Sequence, residues 1–180
     1  MSTQLNKKMS YKVVFVGDGG VGKTTFLKRI KTGQFEHKYL ATVGVEAIDL
    51  SFTTNYGEVK FICWDCAGQD KYGGLREGYY LGGDAAVVMF DLTHRQTYKS
   101  AYEWCAKVRH VCPGIPIVIC GNKCDDPNRK VESNSIRLHD LYRNIDAQYY
   151  DISAKTLYNQ DKPFLSLARQ LTGKDDLVFQ

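Results

Sequence analysis

The chain has 180 residues, a length that fits one domain able to bury its own core. Hydrophobic residues make up 43% and charged residues 24%, and the net charge of +4 is spread along the chain, which argues against the clustered basic face of a direct nucleic-acid binder. No run approaches the roughly 18 apolar residues of a membrane span, the start MSTQLNKKMS has no apolar signal-peptide core, and the ending DDLVFQ offers no prenylation box, so no membrane anchor is expected.

Residues 1–10 read as an extension. YKVVFVG (11–17) is a continuous apolar run ending in glycine, the pattern of a buried parallel strand. KTTFLKRIK (23–31) spaces Phe26, Leu27 and Ile30 on one helical face, and 33–44, without a clear period, reads as a loop. AIDLSFT (47–53) and VKFICWD (59–65) flank Asn55-Tyr56-Gly57 and predict a hairpin. The glycines of 67–83 argue against a steady helix there and predict a loop. AAVVMFD (85–91) is another buried strand, 95–111 a helix ended by Pro113-Gly114, and IPIVICGNK (115–123) a strand leading into a loop. A weaker helix is expected over 133–142, a strand over 148–153 and a last helix over 163–172. The alternation predicts an α/β fold, a mostly parallel six-stranded sheet with one antiparallel edge strand and helices on both faces. The domain is placed at 11–172, followed by a short segment, 173–180. Of the six cysteines three lie in apolar runs and two within the phosphate- and base-binding signatures below, which fits reduced thiols better than a disulfide framework, and Cys63 and Cys120 fall inside strand-like runs rather than on the turns that usually carry zinc-binding pairs.

Gly17-Asp18-Gly19-Gly20-Val21-Gly22-Lys23-Thr24 matches G-x-x-x-x-G-K-[ST] between a strand and a helix, the context of a P-loop NTPase. Backbone N–H groups and the helix N-terminus would face phosphate oxygens. Lys23 would neutralise the β- and γ-phosphates, Thr24 would hold Mg²⁺, and Thr25 is counted with the nucleotide-binding residues. This motif gives a nucleoside triphosphate and leaves the base open. Asp65 ends the third strand, where a P-loop protein holds its Mg²⁺; Gly68 can let its N–H approach a γ-phosphate, and Gln69 can orient an attacking water. Thr42, in the loop between, can reach both Mg²⁺ and the γ-phosphate. Asn122-Lys123-Cys124-Asp125 supplies the base: the Asp125 carboxylate can accept from guanine N1–H and the 2-amino group, which adenine does not offer. The Lys123 stem can cover one face of the base and Phe35 the other, while Ser153-Ala154-Lys155 can present a backbone N–H to guanine O6. The catalytic set read here is Gln69, Thr42 and Lys23, the metal set Thr24, Thr42 and Asp65, and the cofactors GTP or GDP with Mg²⁺.

GDGGVGKT, Thr42, DCAGQ, NKCD and SAK together resemble a Ras-superfamily small GTPase, and the longer runs FVGDGGVGKTTFLKR, WDCAGQDKYGGLREGYY and QYYDISAK resemble the Ran family of nuclear-transport GTPases over about residues 10–172. The resemblance implies the small-GTPase G domain and a monomeric switch slow without help. Its implied partners are importin- and exportin-type transport receptors, an exchange factor and a GTPase-activating protein, in nucleus and cytoplasm. Cys66 stands where the family has Thr, and His139-Asp140-Leu141-Tyr142 carries little of the family's positive charge. A nucleotide kinase would need an arginine-rich lid and has no use for NKCD. A Rab-type trafficking GTPase would need a lipid anchor, and a dead scaffold would not need Lys23, Thr24, Thr42 and Gln69 together.

Overall fold

The computed structural model describes residues 9–68, 77–132 and 146–180. In chain order its elements are β1 (Met9–Val16), α1 (Lys23–Thr32), β2 (Val45–Thr54), β3 (Gly57–Cys66), α2 (Glu77–Tyr80), β4 (Ala85–Asp91), α3 (Arg95–Val111), β5 (Ile117–Asn122), β6 (Gln148–Asp151) and α4 (Lys162–Thr172). Six strands form one sheet in the order β2-β3-β1-β4-β5-β6. Only β2 runs antiparallel, paired with β3 from Val45↔Cys66 to Thr54↔Gly57; the other pairings are parallel.

The central strands are apolar on both sides because helices cover both faces. Val13, Phe15, Val87, Met89, Val118 and Cys120 point to the layer packed by α1 and α4, while Val14, Val16, Val88, Phe90, Ile117 and Ile119 point to the layer packed by α3. In α3 the buried residues Ala101, Trp104, Cys105 and Val108 recur at helical spacing. In α4 Phe164 anchors the first layer, with ring centroids 5.2–6.1 Å from Phe52, Phe61, Phe15 and Phe26. Truncating such a ring to alanine costs about 3–5 kcal/mol. Helices α1 and α4 both stop at a left-handed glycine, Gly33 and Gly173, whose N–H closes on the Arg29 and Arg169 carbonyls.

The order and type of these elements match the sequence reading, with differences at the margins. β1 starts at Met9, inside the stretch read as an extension. The stretch read as loop over 67–83 contains one helical turn, α2. The helix expected over 133–142, and with it His139–Tyr142, lies outside the described residues. Residues 174–180, which carried no expected structure, pack against the β2–β3 hairpin. Phe179 bridges Thr54 and stacks on Phe52 at 4.4 Å, and the Tyr56 hydroxyl donates to Asp176 at 2.7 Å. Among the described residues no helix is long and apolar enough to cross a membrane.

Candidate functional site

A cavity of about 680 Å³ opens at the carboxyl ends of β1, β3, β5 and β6, where an open α/β sheet binds its ligands. One end is the turn between β1 and α1. Gly22 sits at φ 99, and a side chain there would overlap Asn122, so only glycine lets the turn close onto β5. Gly19, Gly20, Gly22, Lys23, Thr24 and Thr25 line this end. Lys23 is buried at 5% exposure, with its Nζ donating to the carbonyls of Gly17 (2.8 Å) and Asp18 (3.0 Å). An ammonium folded back over the turn is a compact charge placed beside inward-facing backbone.

Asp65, at the end of β3, meets this end from the side. Thr24 donates its hydroxyl to Asp65 Oδ2, and the Thr24 and Thr42 hydroxyls lie 2.8 Å apart. Asp65 is fully buried, and its Oδ1 has no hydrogen-bond partner among the described residues. Burial pushes its carboxyl above the ordinary value, against the Thr24 hydrogen bond and the nearby Lys23 charge, both of which pull it down. A buried carboxylate oxygen with no donor beside two hydroxyls is costly unless a cation or its water completes it. These hard oxygen donors suit Mg²⁺. Gly68 follows close behind: a Cβ there would overlap the backbone of Asp18 and Gly19, so only glycine can approach the turn this closely. Gln69 is outside the described residues.

The other end is built on β5 and the loop after β6. Asn122 is buried and ties three segments together: its Nδ2 donates to Val21 O (2.9 Å) and its Oδ1 accepts from Ala154 N–H (3.1 Å). Asp125 faces the cavity, with Oδ1 accepting from the Ser153 hydroxyl at 2.6 Å. Lys123 adopts φ 66, an uncommon conformation for a residue with a side chain. Its Nζ reaches Asp91 Oδ2 at 2.5 Å and Gly20 O at 3.2 Å, which lays its stem along the cavity wall. Phe35 closes the opposite side, half-buried and edge-on to His37 at 4.8 Å. Lys123, Phe35 and Asp125 line the same cavity, so a stem, an aromatic face and an acceptor are available to one base.

Of the sequence-predicted residues, Lys23, Thr24, Thr25, Phe35, Thr42, Gly68, Asn122, Lys123, Asp125, Ala154 and Lys155 share this cavity with Gly19, Gly20 and Gly22. Four other described residues do not line it: Asp65 lies buried beside it, in reach of Thr24. Val21 is fully buried, Ser153 acts on Asp125, and Asp18 turns its carboxylate to the Trp104 indole N–H at 2.8 Å. Asp18 and Val21 can offer a ligand their backbone alone.

Two residues were missed. Asp91 anchors Lys123 and also accepts from Thr93 N–H (2.8 Å) and its hydroxyl (2.7 Å). Burial alone would raise its carboxyl; the Lys123 and Thr93 hydrogen bonds hold it below the ordinary value. Trp104 steadies the P-loop from α3. The acidic end of AAVVMFD was a visible signal for Asp91; Trp104, 86 residues from Asp18, gave none.

Residues 12–173 match the Ras family. With a phosphate-binding turn, an oxygen-rich cation position and a base slot in one cavity, the chain belongs to the Ras family of small GTPases, which bind GTP and GDP with Mg²⁺ and hydrolyse the triphosphate.

Proposed function

We propose that the chain is a Ran-type switch that controls traffic between nucleus and cytoplasm through transport receptors. The observation that carries this reading is the run of Ran-like sequence outside the shared GTPase motifs, above all Lys71–Arg76 and Tyr149–Lys155. The exposed loop of residues 34–44 supports it. Leu40 is 67% and Val43 92% exposed, with Tyr39 beside them, an apolar surface a receptor can cover.

Lys23 leaves the Gly17 and Asp18 carbonyls and binds phosphate oxygens. Thr24, Thr42 and Asp65 would hold Mg²⁺, which when bound would supply positive charge to offset that of the phosphates. Thr42 thereby draws the 34–44 loop inward, and the Gly68 N–H meets the γ-phosphate. Gln69, the next residue, orients the attacking water, and an activating protein supplies the help that is worth roughly 10³–10⁵ in rate for comparable enzymes. Asp125 reads the guanine edge. When the γ-phosphate leaves, Thr42 and Gly68 lose their contact and the exposed apolar loop changes shape.

A receptor that covers this loop distinguishes the two states by its differential affinity and no more. We expect an importin-β-type receptor to bind the chain loaded with a non-hydrolysable GTP analogue at least about tenfold more tightly than the GDP form, or about 1.4 kcal/mol. Titration of one receptor against both forms is the test. Equal affinity would remove the transport assignment and leave a Ras-family GTPase with a different partner.

A further inference from the structure

The two base-reading loops hang from neighbouring strands, β5 and β6, and are fastened at several points. Cys124 N–H donates to Ile152 O (3.2 Å), Ala154 N–H to the Asn122 side chain (3.1 Å), and Ser153 to Asp125 (2.6 Å). Behind them, outside the nucleotide cavity, lies an ion pair that the nucleotide chemistry does not use. Arg129 Nη1 donates to Asp151 Oδ2 at 2.6 Å and Nη2 to Asp151 Oδ1 at 3.3 Å, while Nε donates to Val131 O at 2.7 Å. The Tyr149 hydroxyl donates to the same Oδ1, and Asn159 Nδ2 donates to the Asp151 carbonyl at 2.9 Å. Both charged side chains are only 19% exposed.

The placement of this pair gives it leverage. Arg129 follows Asp125 in the loop leaving β5, and Asp151 ends β6 just before Ser153. The bond from Arg129 to Asp151 therefore closes the ring of contacts that holds Ser153 against Asp125. Tyr149 stiffens its floor: it stacks on Phe90 and fills the space over Gly121, where any side chain would overlap its hydroxyl. A bidentate guanidinium–carboxylate pair fixes orientation as well as distance. Exposed pairs contribute little; this one is largely buried, and removing one partner leaves a desolvated charge.

We propose that Arg129 and Asp151 form a positioning latch that sets how tightly and how selectively the guanine base is held, by keeping Ser153 and Asp125 in register. The proposal rests on the reading of Asp125 as the base acceptor. The latch touches no part of the nucleotide.

The test compares release of GDP with release of inosine diphosphate, which lacks the 2-amino group that Asp125 would accept from. Arg129→Met should speed GDP release about tenfold, the scale of coupling between residues in one network. It should speed inosine diphosphate release less, so that discrimination between the two falls severalfold. Arg129→Lys, which keeps the charge and loses the fork, should recover part of the difference. The double variant Arg129→Met with Asp151→Asn leaves no buried unpaired charge and keeps an oxygen that can accept from Tyr149; it should melt close to the parent and still discriminate poorly. If both the single and the double variant keep the parental ratio while Asp125→Asn loses it, the latch is overturned and the base reading stands. If Asp125→Asn also keeps the parental ratio, both fall together.

Discussion

The two ends of the nucleotide cavity are finished to different degrees. At the base end the groups that shape the site are tied to protein partners: Asn122 holds Val21 and Ala154, Ser153 holds Asp125, and Asp91 holds Lys123. At the phosphate end the chemistry is left open. Lys23 rests on two backbone carbonyls, Asp65 Oδ1 has no partner among the described residues, and the Thr42 hydroxyl reaches in from an exposed loop. A preformed base end binds both nucleotides alike, because both carry guanine. Only the unfinished end can tell them apart, so recognition and switching are divided between two regions of one pocket.

Removing a charge from the open end should have the largest effect. Lys23→Met loses charge-assisted hydrogen bonds worth roughly 1.5–3 kcal/mol each to the phosphates, so affinity for GDP and GTP should fall about a thousandfold. Calorimetric titration measures it, and a loss under tenfold would mean that Lys23 keeps its carbonyl contacts when nucleotide is bound.

At the preformed end, Asp125→Asn should lower guanine nucleotide affinity about a hundredfold and raise relative affinity for xanthine nucleotides, whose C2 carbonyl needs a donor. Competition between GTP and its xanthine counterpart reads this out, and unchanged GTP preference would move base recognition away from Asp125.

Asp91→Asn should act more weakly. It loosens Lys123, which is 38% exposed, so the pair is partly screened; we expect nucleotide release to rise about threefold. Because Asp91's carboxyl is held below its ordinary value, its contribution is complete above the ordinary carboxylate range and is lost only as pH falls through its lowered value. Release kinetics that stay flat from neutral pH down to the edge of that range would agree; a neutral-pH dependence in the parent that Asp91→Asn abolishes would not.

The smallest effect is expected from Trp104→Phe, which keeps most of the ring and drops one hydrogen bond to Asp18, at about 1 kcal/mol of stability. Thermal unfolding of the nucleotide-free protein should show a shift of about 2–4 °C; none would mean that Asp18 finds another donor.

What the sequence disclosed follows the range of the interactions. Helix α3 ends where Pro113-Gly114 demands, and its start and stop agree with the expected 95–111. The P-loop was legible because its chemistry is packed into eight consecutive residues, Asp65 because it closes an apolar strand run, and Asp125 because it completes the four-residue N-K-x-D string that follows β5. Contacts closed only by the fold were silent. Trp104 with Asp18, Arg129 with Asp151 and Lys123 with Asp91 join distant segments, and no local pattern shows which residue meets which, even where one partner lies in a readable motif. The single turn of α2 was hidden by Gly78 in its middle, a residue that weakens a helix unless tertiary packing, here of Tyr80, holds it. Residues 174–180 are too short a run to show alternation, although Leu177 is fully buried.

That last segment has a mechanical consequence. The β2–β3 hairpin joins the 34–44 loop to the loop beginning at Ala67, and its far tip is pinned by the Phe179–Phe52 stack, by Tyr56 on Asp176 and by Asn55 on Val178. Sliding the hairpin by two residues along β1 would carry both loops about 7 Å, at roughly 3.4 Å per residue, and would tear all three fastenings at once. The ribbon is therefore a fixed rail: each loop must answer the γ-phosphate by turning its own backbone dihedrals, and the displacement dies out at Val45 and Cys66 instead of travelling to the opposite pole of the molecule.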